Sequence, residues 1–256
     1  MIANYHTHTP RCNHAVGTEE EYVQAAVERG MKILGFSDHS PYCGFPDGYY
    51  SGFRMKPEQT AEYASSILAL RERYRDQITL YPGVEMEYYP AYFAETLSML
   101  RDSGVEYLIL GQHFINNEIG EKYSGAPTED EDRLARYCHQ LMEGMNTGLF
   151  TYVAHPDVFH FTGAPAVYKK YFREVCREAR ACGMPLEINL LGLNEGRHYP
   201  NPLFWETAAE EGCDTILGCD AHKPEALLDL QTEKRALELA NRFGLRILES
   251  TPLRFI

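Results

Sequence analysis

His6 and His8 stand one residue apart in Tyr5-His6-Thr7-His8-Thr9, close to the start of the chain. Met1, Ile2 and Ala3 precede them as a short apolar run that reads as a first strand. In a strand, side chains at i and i+2 share a face, with Cα atoms roughly 7 Å apart. Two neutral imidazoles so placed can converge on one transition-metal ion. Other segments repeat the theme. Ser37-Asp38-His39, Gly83-Val84-Glu85, Gly111-Gln112-His113, Ala154-His155-Pro156-Asp157 and Gly218-Cys219-Asp220-Ala221-His222 each close an apolar run, and His14 follows the first one. Asp220 and His222 again stand one residue apart. Seven of the ten histidines, with the carboxylates of Glu85 and Asp220, thus form a candidate multinuclear metal site. A carboxylate can bridge two cations and offset their repulsion. Two ions roughly 3.5–4 Å apart can hold a hydroxide and a phosphoryl oxygen together. Asp38 is read as orienting His39 and not as a ligand. His139, His160 and His198 are left outside the set.

Ligands so far apart in sequence need a scaffold that gathers strand ends. Helix-like segments over 18–30, 57–75, 91–103, 129–146, 166–182, 202–212 and 224–243 alternate with strand-like runs at 32–36, 78–84, 107–110, 149–154, 186–190, 215–217 and 245–248. The first helix shows its boundary chemistry: Thr18 at the start, acids in the first turn, Gly30 at the end. This alternation predicts a parallel α/β sheet, and seven or eight units fit one barrel better than two small domains. In such a barrel the C-terminal strand ends meet at one mouth. No linker, repeat or low-complexity tract interrupts the chain, so residues 1–256 are read as one domain. The stretch 40–56 is rich in aromatic and turn residues and reads either as a lid over a binding site or as a surface excursion packed by its own tyrosines.

Composition narrows the function. At 256 residues the chain can bury about 70–75% of its unfolded surface without staples. The net charge of −13 lacks the basic footprint of a nucleic-acid groove. It leaves anionic small substrates open, because bound divalent metals reverse the local sign. Seven cysteines without CxxC spacing read as free thiols in a reducing compartment. With no basic-then-apolar leader and no apolar run of spanning length, a cytoplasmic location away from membranes is expected. Oligomeric state is not legible.

Taken in order, HTHT at 6–9, His14, SDHS at 37–40, GVE at 83–85, GQHF at 111–114, AHPD at 154–157 and GCDAH at 218–222 resemble the polymerase and histidinol phosphatase (PHP) family. GVEMEYY from residue 83, GQHFI from 111 and GLNEGRHYPN at 192–201 resemble its stand-alone histidinol-phosphatase branch. The resemblance implies a distorted TIM-like (β/α)7 barrel with the metal site at the C-terminal strand ends. It implies two to three divalent transition metal ions, zinc, manganese or iron. His6, His8, Glu85 and Asp220 would hold the first; Glu85, His113 and His155 the second; His14, His39 and His222 the third. It further implies a small phosphorylated substrate, L-histidinol phosphate, hydrolysed to L-histidinol and phosphate. Asp220, His222 and Arg197 would be catalytic, and Arg197 and Arg54 would grip the phosphate, as guanidinium suits phosphate oxygens. Asn189 and Asn194 are weaker polar candidates. Asp220, Asp157 or a water would protonate the leaving group. Tyr42, Phe45, Tyr49, Tyr50 and Phe53 would pack on the substrate's imidazole. Two alternatives remain open at this point: a phosphoesterase acting on nucleotides or another small ester, and a non-catalytic metal-binding module.

Overall fold

The computed structural model describes residues 1–46 and 48–256; Asp47, within the aromatic stretch 40–56, lies outside the described residues. The apolar runs become β1 (Ala3–Asn4), β2 (Ile33–His39), β3 (Thr79–Met86), β4 (Tyr107–Leu110), β5 (Phe150–Val153), β6 (Leu186–Asn189), β7 (Asp214–Gly218) and β8 (Arg246–Leu248). They pair in sequential order and all in parallel. Between them run α1 (Glu19–Glu28), α2 (Thr60–Tyr74), α3 (Pro90–Asp102), α4 (Glu131–Asn146), α5 (Pro165–Ala181), α6 (Leu190–Glu195), α7 (Pro202–Glu210) and α8 (Leu230–Phe243). The result is a TIM-like barrel.

Strand alternation sorts the core into two parts. Leu34, Phe36, Leu80, Val84, Leu108, Leu110, Leu186 and Ile188 point outward into a large core shared with the helices. Ala3, Tyr5, Tyr107, Ile109, Tyr152, Ala154 and Ile216 fill the inside. Tyr107 meets Tyr5 edge-on at a 6.3 Å centroid separation, and its hydroxyl donates to the carbonyls of Tyr5 (2.8 Å) and Phe36 (3.0 Å). This tyrosine layer is the floor on which the strand-end residues stand. Gly35 and Gly83 make room for it, since a Cβ on either would fall inside contact distance of Tyr107. Gly83→Ala should therefore cost about 1–3 kcal/mol through overpacking. The check is urea denaturation of the ion-free protein; an unchanged midpoint would mean that the ring yields freely.

The ring closes between its first and seventh strands. Past Gly218, Ala221 forms a parallel bridge with Thr7, through His8 N–H to Ala221 O (2.9 Å) and Ala221 N–H to His6 O (3.2 Å). β8 lies beside the first half of β7, from Asp214 opposite Arg246 to Ile216 opposite Leu248.

Several boundaries differ from the sequence expectation. β1 spans two residues, so His6 and His8 lie just past its end. The segment 57–75 opens as a 3-10 turn, Pro57–Gln59, before α2. The segment 224–243 breaks at Asp229, whose side chain accepts from Thr232 N and starts α8 afresh. Leu190–Glu195, expected to be loop beyond its first residue, is α6, capped by Asn189.

Candidate metal centre

Glu85 is the hub. It stands near the end of β3, two residues above Gly83, and is 1% exposed. Its Oε1 lies 2.7 Å from His155 Nε2 and 3.4 Å from His113 Nε2. Its Oε2 lies 3.1 Å from His39 Nδ1, 3.5 Å from His6 Nε2 and 3.6 Å from His8 Nε2. One carboxylate thus faces five imidazoles, delivered by four strand ends. Asp220 faces the same group from β7, with Oδ1 3.0 Å from His8 Nε2, 3.5 Å from His6 Nε2 and 3.4 Å from His222 Nδ1. Gly111 lets β4 pass close to Glu85, where any Cβ would meet the carboxylate.

Two of these residues sit on strained backbone. His155 (φ 28°) and Asp220 (φ 49°) occupy the left-handed region, which costs non-glycine residues about 1–3 kcal/mol. The turn swings each side chain back over the barrel mouth.

The donor groups fit cations. Both Glu85 oxygens, His6 Nε2, both His8 ring nitrogens, His39 Nδ1 and His155 Nδ1 are buried without a hydrogen-bond partner. Each such group costs about 1–3 kcal/mol if left unsatisfied. The outer end makes the same point through tautomers. His14 Nδ1 contacts Cys12 O (2.8 Å) and His222 Nδ1 contacts Asp220 O (3.0 Å). A carbonyl only accepts, so each Nδ1 carries a proton, and in the neutral ring each Nε2 presents a lone pair. Those two Nε2 atoms face one another at 2.9 Å, an arrangement that asks for a cation. Ligand atoms come within 4.8 Å of one another in His6/His8/Glu85, His6/His155/Asp220, His39/Glu85/His113 and His14/His39/His222.

Electrostatics agree with this. Burial opposes ionisation of Glu85, but His113, His6, His39 and His155 outweigh it and hold the carboxyl well below its usual range. Burial, then the neighbouring His8, pushes His39 and His222 down to about 3. Both are therefore neutral, the form that binds metals. For His6 burial is overcome by Glu187, Asp220 and Glu85, and its pKa rises to about 10 in the ion-free protein.

Carboxylates behind the imidazoles fix their orientation. Glu187 Oε2 lies 2.8 Å from His6 Nδ1, and Glu87 Oε1 lies 2.9 Å from His113 Nδ1. Sequence reasoning missed both. The signals were present: Glu87 follows Glu85 by two in a strand, and Glu187 is a charge inside the four-residue strand LEIN. Asp38 takes a different partner from the one expected. It accepts the backbone N–H of His39 (2.8 Å) and bonds with Thr9, while its side chain approaches the ring of His8 (3.5 Å). Asn189 Nδ2 donates to Glu187 (2.7 Å) and Asp220 (3.1 Å).

Over the centre lies a cavity of about 330 Å³, lined among others by Phe53, Phe114, Tyr123, Arg197, Tyr199 and His222. Arg197 stands on its rim, paired with Glu195 (2.6 Å) and donating to Tyr199 Oη (2.6 Å). Arg54 is elsewhere, and here the sequence reading is corrected. It is 3% exposed, with Nη2 on Glu87 (2.6 Å), Nε on Glu118 (2.5 Å) and Nη1 on Ser40 O (3.1 Å). Its donors are committed inside the protein, which removes it from phosphate binding. The aromatic stretch packs around it: Arg54 lies over the Tyr42 and Phe53 rings, and Tyr42 packs on Phe45 and Tyr89. Of the five aromatic residues proposed to touch substrate, Phe53 lines the cavity. Asp157 is buried at the start of α7, where it accepts from Asn201 N–H (2.5 Å), and burial pushes its carboxyl up to about 7. Asn194 contacts Thr232 Oγ1 (3.4 Å).

A parallel barrel carrying a carboxylate-centred histidine cluster at its C-terminal mouth defines a class of metal-binding α/β barrels. Within it the chain belongs to the PHP domain family, whose model matches residues 4–190. It is 31% identical over 235 residues to a probable histidinol-phosphatase of Deinococcus radiodurans, covering 87% of each chain. A probable histidinol-phosphatase of Schizosaccharomyces pombe is 24% identical over 279 residues, covering 98% of this chain and 91% of the relative. Among solved structures, the histidinol phosphate phosphatase of Lactococcus lactis, complexed with zinc, L-histidinol and phosphate, superposes with a TM-score of 0.76 at 19% identity. That match covers 99% of this chain and 98% of the other.

Proposed function

We propose that this chain is a metal-dependent phosphomonoesterase that hydrolyses L-histidinol phosphate to L-histidinol and phosphate. The observation that carries the reading is Glu85, a buried carboxylate whose two unpartnered oxygens face five imidazoles beneath an arginine-rimmed cavity. The relatives named as histidinol-phosphatases support the choice of substrate.

His6, His8, His14, His39, Glu85, His113, His155, Asp220 and His222 would hold two to three divalent ions, of zinc, manganese or iron. Such ions, when bound, supply Lewis-acid charge and lower the pKa of a water towards neutrality. Arg197 binds the phosphate oxygens, and Tyr199, which accepts from its guanidinium, keeps it aimed at the cavity. Asp220 and His222 line the cavity; the Asp220 carboxylate orients the attacking water by accepting its hydrogen bond, and His222 acts through Nε2, the nitrogen that its carbonyl-bound Nδ1 leaves as an electron-pair donor. Phe53, Phe114 and Tyr123 wall the site from bulk water and offer faces to an imidazole. We read residues 1–256 as one domain working in a reducing compartment, which the seven free cysteines fit. No helix among the described residues is long and apolar enough to cross a membrane. The acidic surface speaks against polymeric nucleic acid.

The test is turnover of L-histidinol phosphate by metal-loaded protein against a panel of phosphate esters. Histidinol phosphate should be the preferred substrate; much faster hydrolysis of 3′,5′-nucleotides or ribonucleotide ends would replace it. Arg197→Ala should lower kcat/KM by roughly 10²–10³-fold, the usual cost of losing one charge-stabilising donor. Bound metal, measured in parallel, should stay constant. An unaltered kcat/KM would remove Arg197 from the site.

A further inference from the structure

Cys12 is a buried thiol that the proposed reaction does not use. It closes the 3-10 turn Pro10–Cys12, which Thr9 caps by accepting from Arg11 N. Thr9 is itself tied to Asp38, and Asn13 leaves the turn in the left-handed conformation (φ 68°). The turn therefore fixes Cys12 between the His6/His8 segment and His14. Cys12 is 0% exposed. Its Sγ, one nitrogen of His8 and one of His222 all lie within 4.8 Å of one another. Among the described residues, this is the one donor group in which a cysteine joins histidines. A second observation points to a ligand there. His8 Nδ1, the ring nitrogen that does not face Glu85 and Asp220, is buried without a hydrogen-bond partner, and His222, whose Nδ1 serves a carbonyl, turns its Nε2 toward His14.

We propose that Cys12 is a further metal ligand, with His8, Cys12 and His222 forming a sulfur-bearing site for a borderline-soft divalent ion such as zinc. The inference rests on reading the cluster as a metal centre. Binding breaks the S–H bond, releases the proton to solvent and leaves the electron pair on sulfur to form the bond to the ion. A thiolate among imidazoles favours zinc or cobalt over manganese, which prefers oxygen donors. The chain would then discriminate between ions at its histidine-rich end, leaving the Glu85 end permissive.

Cobalt reports sulfur ligation directly. Full-length protein loaded with Co²⁺ should show a near-ultraviolet thiolate-to-cobalt charge-transfer band. Cys12→Ser should lack that band and lose at least roughly tenfold in zinc affinity, with a smaller change for manganese. X-ray absorption of the zinc-loaded wild type should show a sulfur scatterer at about 2.3 Å. This arm needs no variant and decides the matter if Cys12→Ser does not fold. A cobalt-loaded wild type without the band, a band that persists in Cys12→Ser, or a zinc shell without sulfur overturns the assignment while leaving the metal centre standing. Protein that takes up no cobalt or zinc overturns both.

Discussion

Glu85→Gln should lower hydrolysis of L-histidinol phosphate by on the order of 10³-fold. That exceeds the roughly 10–100-fold typical of losing a ligand's outer partner. Tightly bound metal should fall with activity. The substitution conserves volume, so Gly111 and Tyr107 keep their packing, but it removes the charge that five imidazoles surround. It also turns one oxygen into an NH2 group, which repels cations where the carboxylate attracted them. Histidines from four strand ends would still converge, yet without the carboxylate charge that would offset repulsion between neighbouring ions. Metal analysis of the purified variant beside steady-state kinetics settles the matter. A variant with full metal and more than about a tenth of wild-type kcat would contradict the bridging role.

Arg54→Leu should destabilise the fold by about 3–5 kcal/mol, the cost of removing one member of a buried ionic group. Its guanidinium lies between Glu87 and Glu118, both buried. Tyr42 donates to Glu87 (2.9 Å) and Tyr49 to Glu118 (2.8 Å), so the aromatic stretch depends on the same group. Burial opposes the charge on Glu87, but Arg54 and His113 hold its pKa at about 2. Without Arg54, Glu87 protonates or finds water, and its hold on His113 loosens. Denaturant unfolding of ion-free protein measures the loss. A change below about 1 kcal/mol would place Arg54 among ordinary surface arginines.

The residues that converge at the barrel mouth were legible because their chemistry is local. A histidine or acid closing an apolar run is visible one segment at a time, and parallel order then brings the ends together. What escaped was set by distance in the chain. Arg54 reads as a free loop arginine, since Glu87 and Glu118 stand 33 and 64 residues away. Glu187 shows as a charge inside LEIN, but its partner stays hidden for the same reason, since His6 stands 181 residues away. α6 was missed because LLGLNE is six residues long with a central glycine, too short for periodicity to register. Its helical form comes from outside its own pattern, through the Asn189 side chain accepting from Gly192 N–H (2.8 Å).

The Thr7–Ala221 bridge joins opposite ends of the chain directly beneath the ligands. A polypeptide still emerging from synthesis would hold every imidazole but one before it held the complete donor set, because Asp220 and His222 come late. Half-made protein would thus lack the two donors that complete the cluster around His6, His8 and His14. Once the seam shuts, captured ions would act as a clasp across it, strengthening this long-range contact by mass action.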